Sequence, residues 1–141
     1  MLDINKGKKI SWVVLLCLAT AGQIRAAEDD ALLRAMEDTD AAERCISLSR
    51  IDNTRILDNS NILFYMRRDK IYLNNLPHRC PGLKSAGTYM YRSSIDRLCN
   101  VDFITVLHSS GGGYSPGAGC GLGLFFPIEE ELAKELLKKS R

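Results

Sequence analysis

Two histidines and five cysteines are the residues of this chain best suited to metal binding or nucleophilic chemistry. His78 and His108 could join Cys80, Cys99 and Cys120 in a zinc site, or a cysteine and a histidine could form a nucleophilic pair. No C-x-x-C spacing occurs, and oxidation would consume the thiols in disulfides. A metal- or cysteine-dependent enzyme is therefore the alternative hypothesis, and the sequence assigns no catalytic residue, metal ligand or cofactor.

The glycine-rich stretch 108–121 could in principle hold a phosphate group, because successive glycines let backbone N–H groups approach an anion. It lacks the lysine and the following helix of a phosphate-binding loop. The serines after His108 also lie outside a G-x-S-x-G motif. We therefore expect a surface loop around a disulfide, with Tyr114 at its tip able to contact a partner.

Four cysteines lie outside the apolar N-terminal run that contains Cys17: they are Cys45, Cys80, Cys99 and Cys120. An even number in a short exported chain predicts a framework of two disulfides, for which three connectivities are possible. The predicted strands favour a bond from Cys80, at a hairpin corner, to Cys99 in a long strand. Cys45 would then bond to Cys120 and join the first strand to the last.

The N-terminal 21 residues have the pattern of a signal peptide. Three lysines precede an apolar run at Trp12–Ala21, and a small-x-small sequence allows cleavage after Ala21, with Ala26 or Ala27 as weaker options. The run is shorter than the roughly 20 residues that span a bilayer. We expect a periplasmic or secreted protein that meets the membrane only through its transient signal peptide.

Charge is uneven along the rest of the chain. Residues 22–44 form an acidic leader that we expect to be partly helical or disordered. Residues 45–128 carry nine basic and five acidic side chains, and the chain after residue 21 carries sixteen of each. This charge is too small to argue for nucleic acid as a partner.

The segment 62–83 predicts a β-hairpin whose turn lies near Arg68 and Asp69, followed by a corner bearing Cys80. In the predicted register Met66 pairs with Ile71 on an apolar face. The candidate binding surface is a tyrosine-rich outer face together with the tip of the glycine-rich loop. Its residues are Tyr65, Tyr72, Tyr89, Tyr91 and Tyr114.

Further strands are predicted by alternating apolar and polar residues or by β-branched content. They lie at 45–51, 54–57, 88–92, 98–107 and 122–128. In the strand 98–107 the apolar face is expected to contain Cys99, Val101, Phe103 and Leu107. Residues 129–141 form an amphipathic helix, with acidic residues in its first turn and basic residues in its last. The fold class is mainly β (α+β): a small antiparallel sheet or barrel-like meander of about six strands in a domain at 45–128, with a C-terminal helix.

Several local motifs together resemble a family of small exported bacterial proteins, the domain-of-unknown-function family 6491. The motifs include Cys45 with Ile51, Asp58 with the hairpin, Tyr72-Leu73-Asn74, Leu76-Pro77, Cys80-Pro81-Gly82-Leu83, Leu98-Cys99 with Asp102, and Cys120-Gly121-Leu122-Gly123. The resemblance implies export and a compact cysteine-bearing domain, and it transfers no catalytic residue. We therefore expect a non-enzymatic binding or envelope-associated protein, with an envelope protein as its partner.

Overall fold

A computed structural model describes residues 30–93 and 95–141. The predicted signal peptide (1–21) and the leader as far as residue 29 lie outside the described residues, so what the sequence predicts there stays a prediction. Residues 30–35, within the predicted leader, are helical (α1). Ala31 and Ala35 are buried and attach α1 to the rest of the molecule.

The described chain is mainly antiparallel β with a C-terminal helix and two disulfides, as the sequence predicts. Turns divide the predicted strands 45–51 and 98–107, and the stretch predicted as a glycine-rich loop contains a further strand, so the described part contains nine. They are β1 (Cys45–Ser47), β2 (Ile51–Ile56), β3 (Asn61–Met66), β4 (Ile71–Asn75), β5 (Tyr89–Tyr91), β6 (Arg97–Cys99), β7 (Phe103–Ser110), β8 (Gly113–Gly121) and β9 (Phe125–Ile128). The helices after α1 are α2 (Leu83–Ala86) and α3 (Glu130–Lys139), and Leu48–Arg50 forms a 3-10 turn. The sheets have the orders β1–β6, β2–β3–β4–β9 and β5–β7–β8.

The four-stranded sheet is the centre of the molecule because both of its faces are buried. Phe64 and Phe125 belong to the core shared with the two smaller sheets, and their rings meet edge to face with centroids 5.4 Å apart. Leu63 and Leu73 belong to the core that the helices α1 and α3 cover. Burial on both faces explains why β3 contains a continuous apolar run instead of an alternating pattern.

The C-terminal helix has the predicted charge pattern. Lys134 lies 3.0 Å from Glu130, and Lys139 lies 2.8 Å from Glu135. Acidic side chains at the first turn and basic ones at the last also match the helix dipole. The side chains that dock α3 on the sheet are Ala133 and Leu136, both buried.

The β3–β4 hairpin forms, but its predicted register is wrong by one residue. Tyr65 pairs with Ile71, and Phe64 pairs with Tyr72. The cause is the turn: Arg68 and Asp69 adopt left-handed φ values of 71° and 60°, and the Met66 N–H donates to the Lys70 carbonyl at 2.8 Å. A one-residue shift moves side chains to the opposite face, so tyrosines that were predicted to face each other lie on opposite faces.

The predicted strand 98–107 is also interrupted. The Asp102 carboxylate accepts the Cys99 N–H at 2.7 Å, and the Asp102 N–H donates to the Cys99 carbonyl at 3.0 Å. This turn separates β6 from β7 and reverses the expected faces. Val101 and Phe103 are 75% and 67% exposed, whereas Ile104 is fully buried. The predicted apolar face is therefore wrong.

The glycine-rich stretch is a strand rather than a loop. It forms β8 and pairs with β7 around the turn Gly111-Gly112, whose φ values are 51° and 105°. Two consecutive positive φ values are typical of tight hairpin turns, and glycine reaches them without steric cost. The alternation of glycines along β8 gave no hydrophobic signal by which a strand could have been recognised.

All four described cysteines form disulfides, but the predicted pairing is wrong. The bonds are Cys45–Cys99 and Cys80–Cys120. Cys45 lies directly opposite Cys99 in the β1–β6 pair. The unpredicted β8 strand brings Cys120 back along β7 to the corner that contains Cys80, so the long hairpin decides the connectivity.

Candidate binding sites

The structure does not bring the five candidate tyrosines onto one surface. Tyr72 is 4% exposed in the first core, and Tyr65 is half-buried on the opposite face of the sheet. Tyr114 is 66% exposed in β8, next to the β7–β8 turn. Only Tyr89 and Tyr91 line one groove together. A role for any of them in binding stays a prediction.

Tyr72 has a structural partner that the sequence did not indicate. Its hydroxyl donates a 2.5 Å hydrogen bond to Glu43 Oε1, and Glu43 also lies 3.9 Å from Lys70 Nζ. Burial raises the pKa of Tyr72, and the hydrogen bond and charge of Glu43 raise it further. This hydrogen bond connects the acidic leader to β4, so the Tyr72 hydroxyl has a structural role.

The residues of the enzyme hypothesis do not assemble a site. Cys80, Cys99 and Cys120 are in disulfides and supply no thiolate. His78 and His108 are both exposed. In the described part of the chain, no group of three or more His, Cys, Asp or Glu side chains could hold a metal ion.

His108 instead packs against glycine backbone. A Cβ atom built on Gly117 would lie 2.5 Å from His108 Nε2, and one built on Gly82 would lie 3.2 Å from His108 Cε1. The imidazole therefore occupies space that side chains at these two positions would fill.

A groove with a volume of about 630 Å³ lies between strands β2 and β5. Each of these strands is at the edge of its sheet. The half-buried lining residues Thr54, Ile56 and Tyr89 lie deeper than the exposed lining residues Arg55 and Tyr91. We call this feature the β2–β5 groove.

Both edges present backbone groups to this groove that have no backbone partner. In antiparallel pairs, hydrogen-bonded groups point alternately toward the neighbouring strand and away from it. The Leu57 N–H donates to the Asn61 carbonyl and therefore points toward β3. The backbone N–H and C=O groups of Ile56 and Thr54 consequently point to the open edge. The Thr54 N–H indeed donates to the adjacent Asn53 side chain rather than to β3.

The same alternation applies to β5. The Thr88 carbonyl accepts the Leu107 N–H at 2.9 Å, so the backbone groups of Thr88 and Met90 point toward β7. The backbone groups of Tyr89 and Tyr91 therefore point away from β7, toward the open edge. Two rows of N–H and C=O groups without backbone partners thus border one groove.

Tyr89 adds an unsatisfied polar atom at this position. Its hydroxyl is buried beside the Thr54 side chain, at a geometry that falls short of a hydrogen bond in the part of the chain that the structure describes. Burial raises the pKa of Tyr89 to about 12, and the neighbouring Thr54 side chain opposes only part of this rise. A buried polar atom without a partner costs stability that a bound group could recover. The sequence signal for this edge was the polar run Asp52–Arg55 inside a strand.

Fold and disulfides together define a small, disulfide-stapled antiparallel β protein in which edge strands of two sheets border one groove. Its sequence from residue 8 to residue 141 matches the family of unknown function DUF6491, and the chain belongs to that family. No curated protein and no solved structure gives a significant match. No helix among the described residues is long and apolar enough to cross a membrane.

Proposed function

We propose that this protein is an exported, non-enzymatic binding module that holds an extended segment of an envelope polypeptide in the β2–β5 groove. The observation that carries the proposal is the pair of unpaired strand edges that border the groove. An extended segment satisfies such edges by adding a strand, because its own backbone supplies the missing donors and acceptors.

Export is supported by the N-terminal signal pattern and by the two disulfides, since disulfides persist in oxidising compartments. Edge strands held within folded sheets also suit backbone recognition, because an edge that is already ordered loses little entropy on binding.

The length of β2 sets the size of the segment. Its six residues span about 20 Å, which corresponds to a bound stretch of about six residues. Recognition through backbone groups depends little on side-chain identity. Specificity would come from the half-buried side chains at the bottom of the groove, Thr54, Ile56 and Tyr89.

The partner can be identified by site-specific photo-crosslinking in cells that export the protein. A photoreactive phenylalanine analogue replaces Tyr91 in the groove or, as a matched control, Phe103, which is exposed and does not line it. We expect a crosslink from position 91 alone, mapped to one short segment of an envelope protein. No crosslink from position 91, or the same crosslink from both positions, would count against the groove.

The mapped segment is then synthesised and titrated into the purified, oxidised protein. Thr54→Pro removes the outward N–H, which an added strand would take over from the Asn53 side chain, and should weaken binding at least about tenfold. Thr54→Ser keeps both that N–H and the side-chain hydroxyl and should bind within about twofold of the wild type. A parallel series of peptides, each N-methylated at one amide, should lose binding at alternate positions only. Uniform tolerance of N-methylation would exclude strand addition even if the proline variant does not fold.

A further inference from the structure

A second cleft, separate from the β2–β5 groove, has a distinct chemistry. It has a volume of about 460 Å³ and lies where β1 and β6 meet the β3–β4 turn. Six charged side chains line it: the basic residues Arg50, Arg67, Lys70 and Arg97 and the acidic residues Glu43 and Asp96. We call it the basic cleft.

Backbone pairing brings the basic residues to one place although they are far apart in sequence. The Arg67 N–H donates to the Arg50 carbonyl at 2.8 Å, so these two residues are neighbours at the open end of β2–β3. Arg97 lies opposite Ser47 in the β1–β6 pair. The Cys45–Cys99 bond fastens that pair beside the cleft.

The two carboxylates of the cleft already have partners. Asp96 accepts hydrogen bonds from the Ser47 hydroxyl at 3.0 Å and from the Ser49 N–H and hydroxyl at 2.8 and 2.7 Å. Hydrogen bonds from Ser49 and Ser47 lower the pKa of Asp96, which keeps it ionised. Glu43 is held by the Tyr72 hydroxyl and faces Lys70.

The three guanidinium groups lack such partners. Within the described residues, Arg50, Arg67 and Arg97 form no ion pair and donate no side-chain hydrogen bond. Four basic groups against two carboxylates leave a local charge of +2. Guanidinium groups bind planar or tetrahedral oxyanions through paired N–H donors, which makes an anion the complementary ligand.

We propose that the basic cleft binds a phosphate monoester group. A phosphate monoester carries a charge of about −1.5 to −2 at pH 7, which balances the +2 of the cleft, and it offers three oxygens to three guanidinium groups. A monocarboxylate would neutralise only half of that charge. The phosphate could belong to a soluble metabolite or to a lipid headgroup, and the chemistry of recognition is the same for both.

Isothermal titration with glycerol 3-phosphate tests the soluble source, and co-sedimentation with vesicles containing phosphatidic acid tests the lipid source. Vesicles of phosphatidylcholine alone and the dicarboxylate succinate serve as comparison ligands. We expect saturable binding of at least one phosphate monoester that weakens as NaCl is raised. Binding to phosphatidic acid but not to glycerol 3-phosphate would assign the lipid source, and the reverse result the soluble source.

Arg50→Gln and Arg97→Gln should each raise the dissociation constant about tenfold or more. The matched control is Arg79→Gln, which removes the same charge from an exposed position outside the cleft and should change it less than about twofold. Equal affinity for succinate, equal losses in all three variants, or no binding of either phosphate ligand would overturn the proposal. Thr54→Pro should leave phosphate binding intact, so failure of the groove and failure of the cleft are distinguishable.

Discussion

Asparagine and aspartate side chains hold the irregular joins between the strands. Asp102 fastens the turn after β6, and Asp58 accepts hydrogen bonds from the Ser60 N–H and the Asn61 side chain in the turn before β3. The fully buried Asn74 bonds both backbone groups of Gly123, at 2.7 and 3.0 Å. Three of these residues, Asp58, Asn74 and Asp102, belong to the motifs behind the family resemblance, so those motifs have structural roles.

Asn74→Ala is expected to lower the free energy of unfolding by about 1–3 kcal/mol, because it leaves the N–H and C=O of Gly123 buried without partners. Urea unfolding of the oxidised protein measures the change. Asn100→Ala is the control, since the Asn100 side chain forms no hydrogen bond in the described part of the chain and should cost much less. Equal losses in the two variants would contradict this role for Asn74.

Tyr89→Phe is expected to leave the protein at least as stable at pH 7, because it removes a buried hydroxyl that has no partner. The wild type should lose stability from pH 10 to about 12, since Tyr89 ionises in the unfolded chain while the folded state keeps it protonated. Thermal unfolding across this range should show a shallower fall in the variant.

Tyr65 and Tyr72 also have raised pKa values, caused first by burial, so part of the alkaline loss remains in Tyr89→Phe. Tyr114→Phe is the control because Tyr114 is exposed, and its alkaline profile should match the wild type. An unchanged profile in Tyr89→Phe would show that Tyr89 ionises normally in the folded protein.

Two β-hairpins determine the arrangement of the strands, and they differ in how well the sequence predicts them. The β3–β4 hairpin has strong apolar strands but a turn of Arg68 and Asp69, so its existence was predictable and its register was not. The β7–β8 hairpin has the opposite character: its turn is Gly111-Gly112, but β8 is too rich in glycine to show a strand pattern. Missing β8 also led to the wrong disulfide pairing, because β8 carries Cys120 to Cys80.

Gly112→Ala is expected to destabilise the β7–β8 hairpin by about 1 kcal/mol, because a φ of 105° is strained for any residue with a Cβ. Gly113→Ala is the matched control: its φ is not in that region, and no atom lies within 4 Å of the added Cβ. Urea unfolding reports the difference between the two variants. If Gly113→Ala costs as much as Gly112→Ala, the turn geometry is not the cause.

At the scale of the whole molecule, the fold class was predictable because it follows from sequence composition. An error in the predicted strand register does not change that composition. Apolar runs, four cysteines after the N-terminal apolar run and a helix with ordered charges are enough to indicate a disulfide-stapled β protein. The candidate sites were not predictable, since they depend on which strands lie at the edges of the sheets and which of these edges are neighbours. Thr54 and Tyr89 meet across two sheets, and Arg50 and Arg97 meet through a disulfide-linked pair. These contacts between distant residues follow from tertiary packing and not from the local sequence pattern.

Export and disulfide formation make one joint prediction for the whole chain. The protein purified from the periplasm or medium should begin near Gly22 and contain no free thiol, and reduction should release four, since Cys17 is removed with residues 1–21. Intact mass spectrometry after alkylation, with and without reduction, measures both. Chain lacking residues 2–21 and made in the cytoplasm is the control, and its thiols should stay reduced because that compartment is reducing. A full-length exported chain with free thiols would contradict both the removal of residues 1–21 and the oxidising compartment.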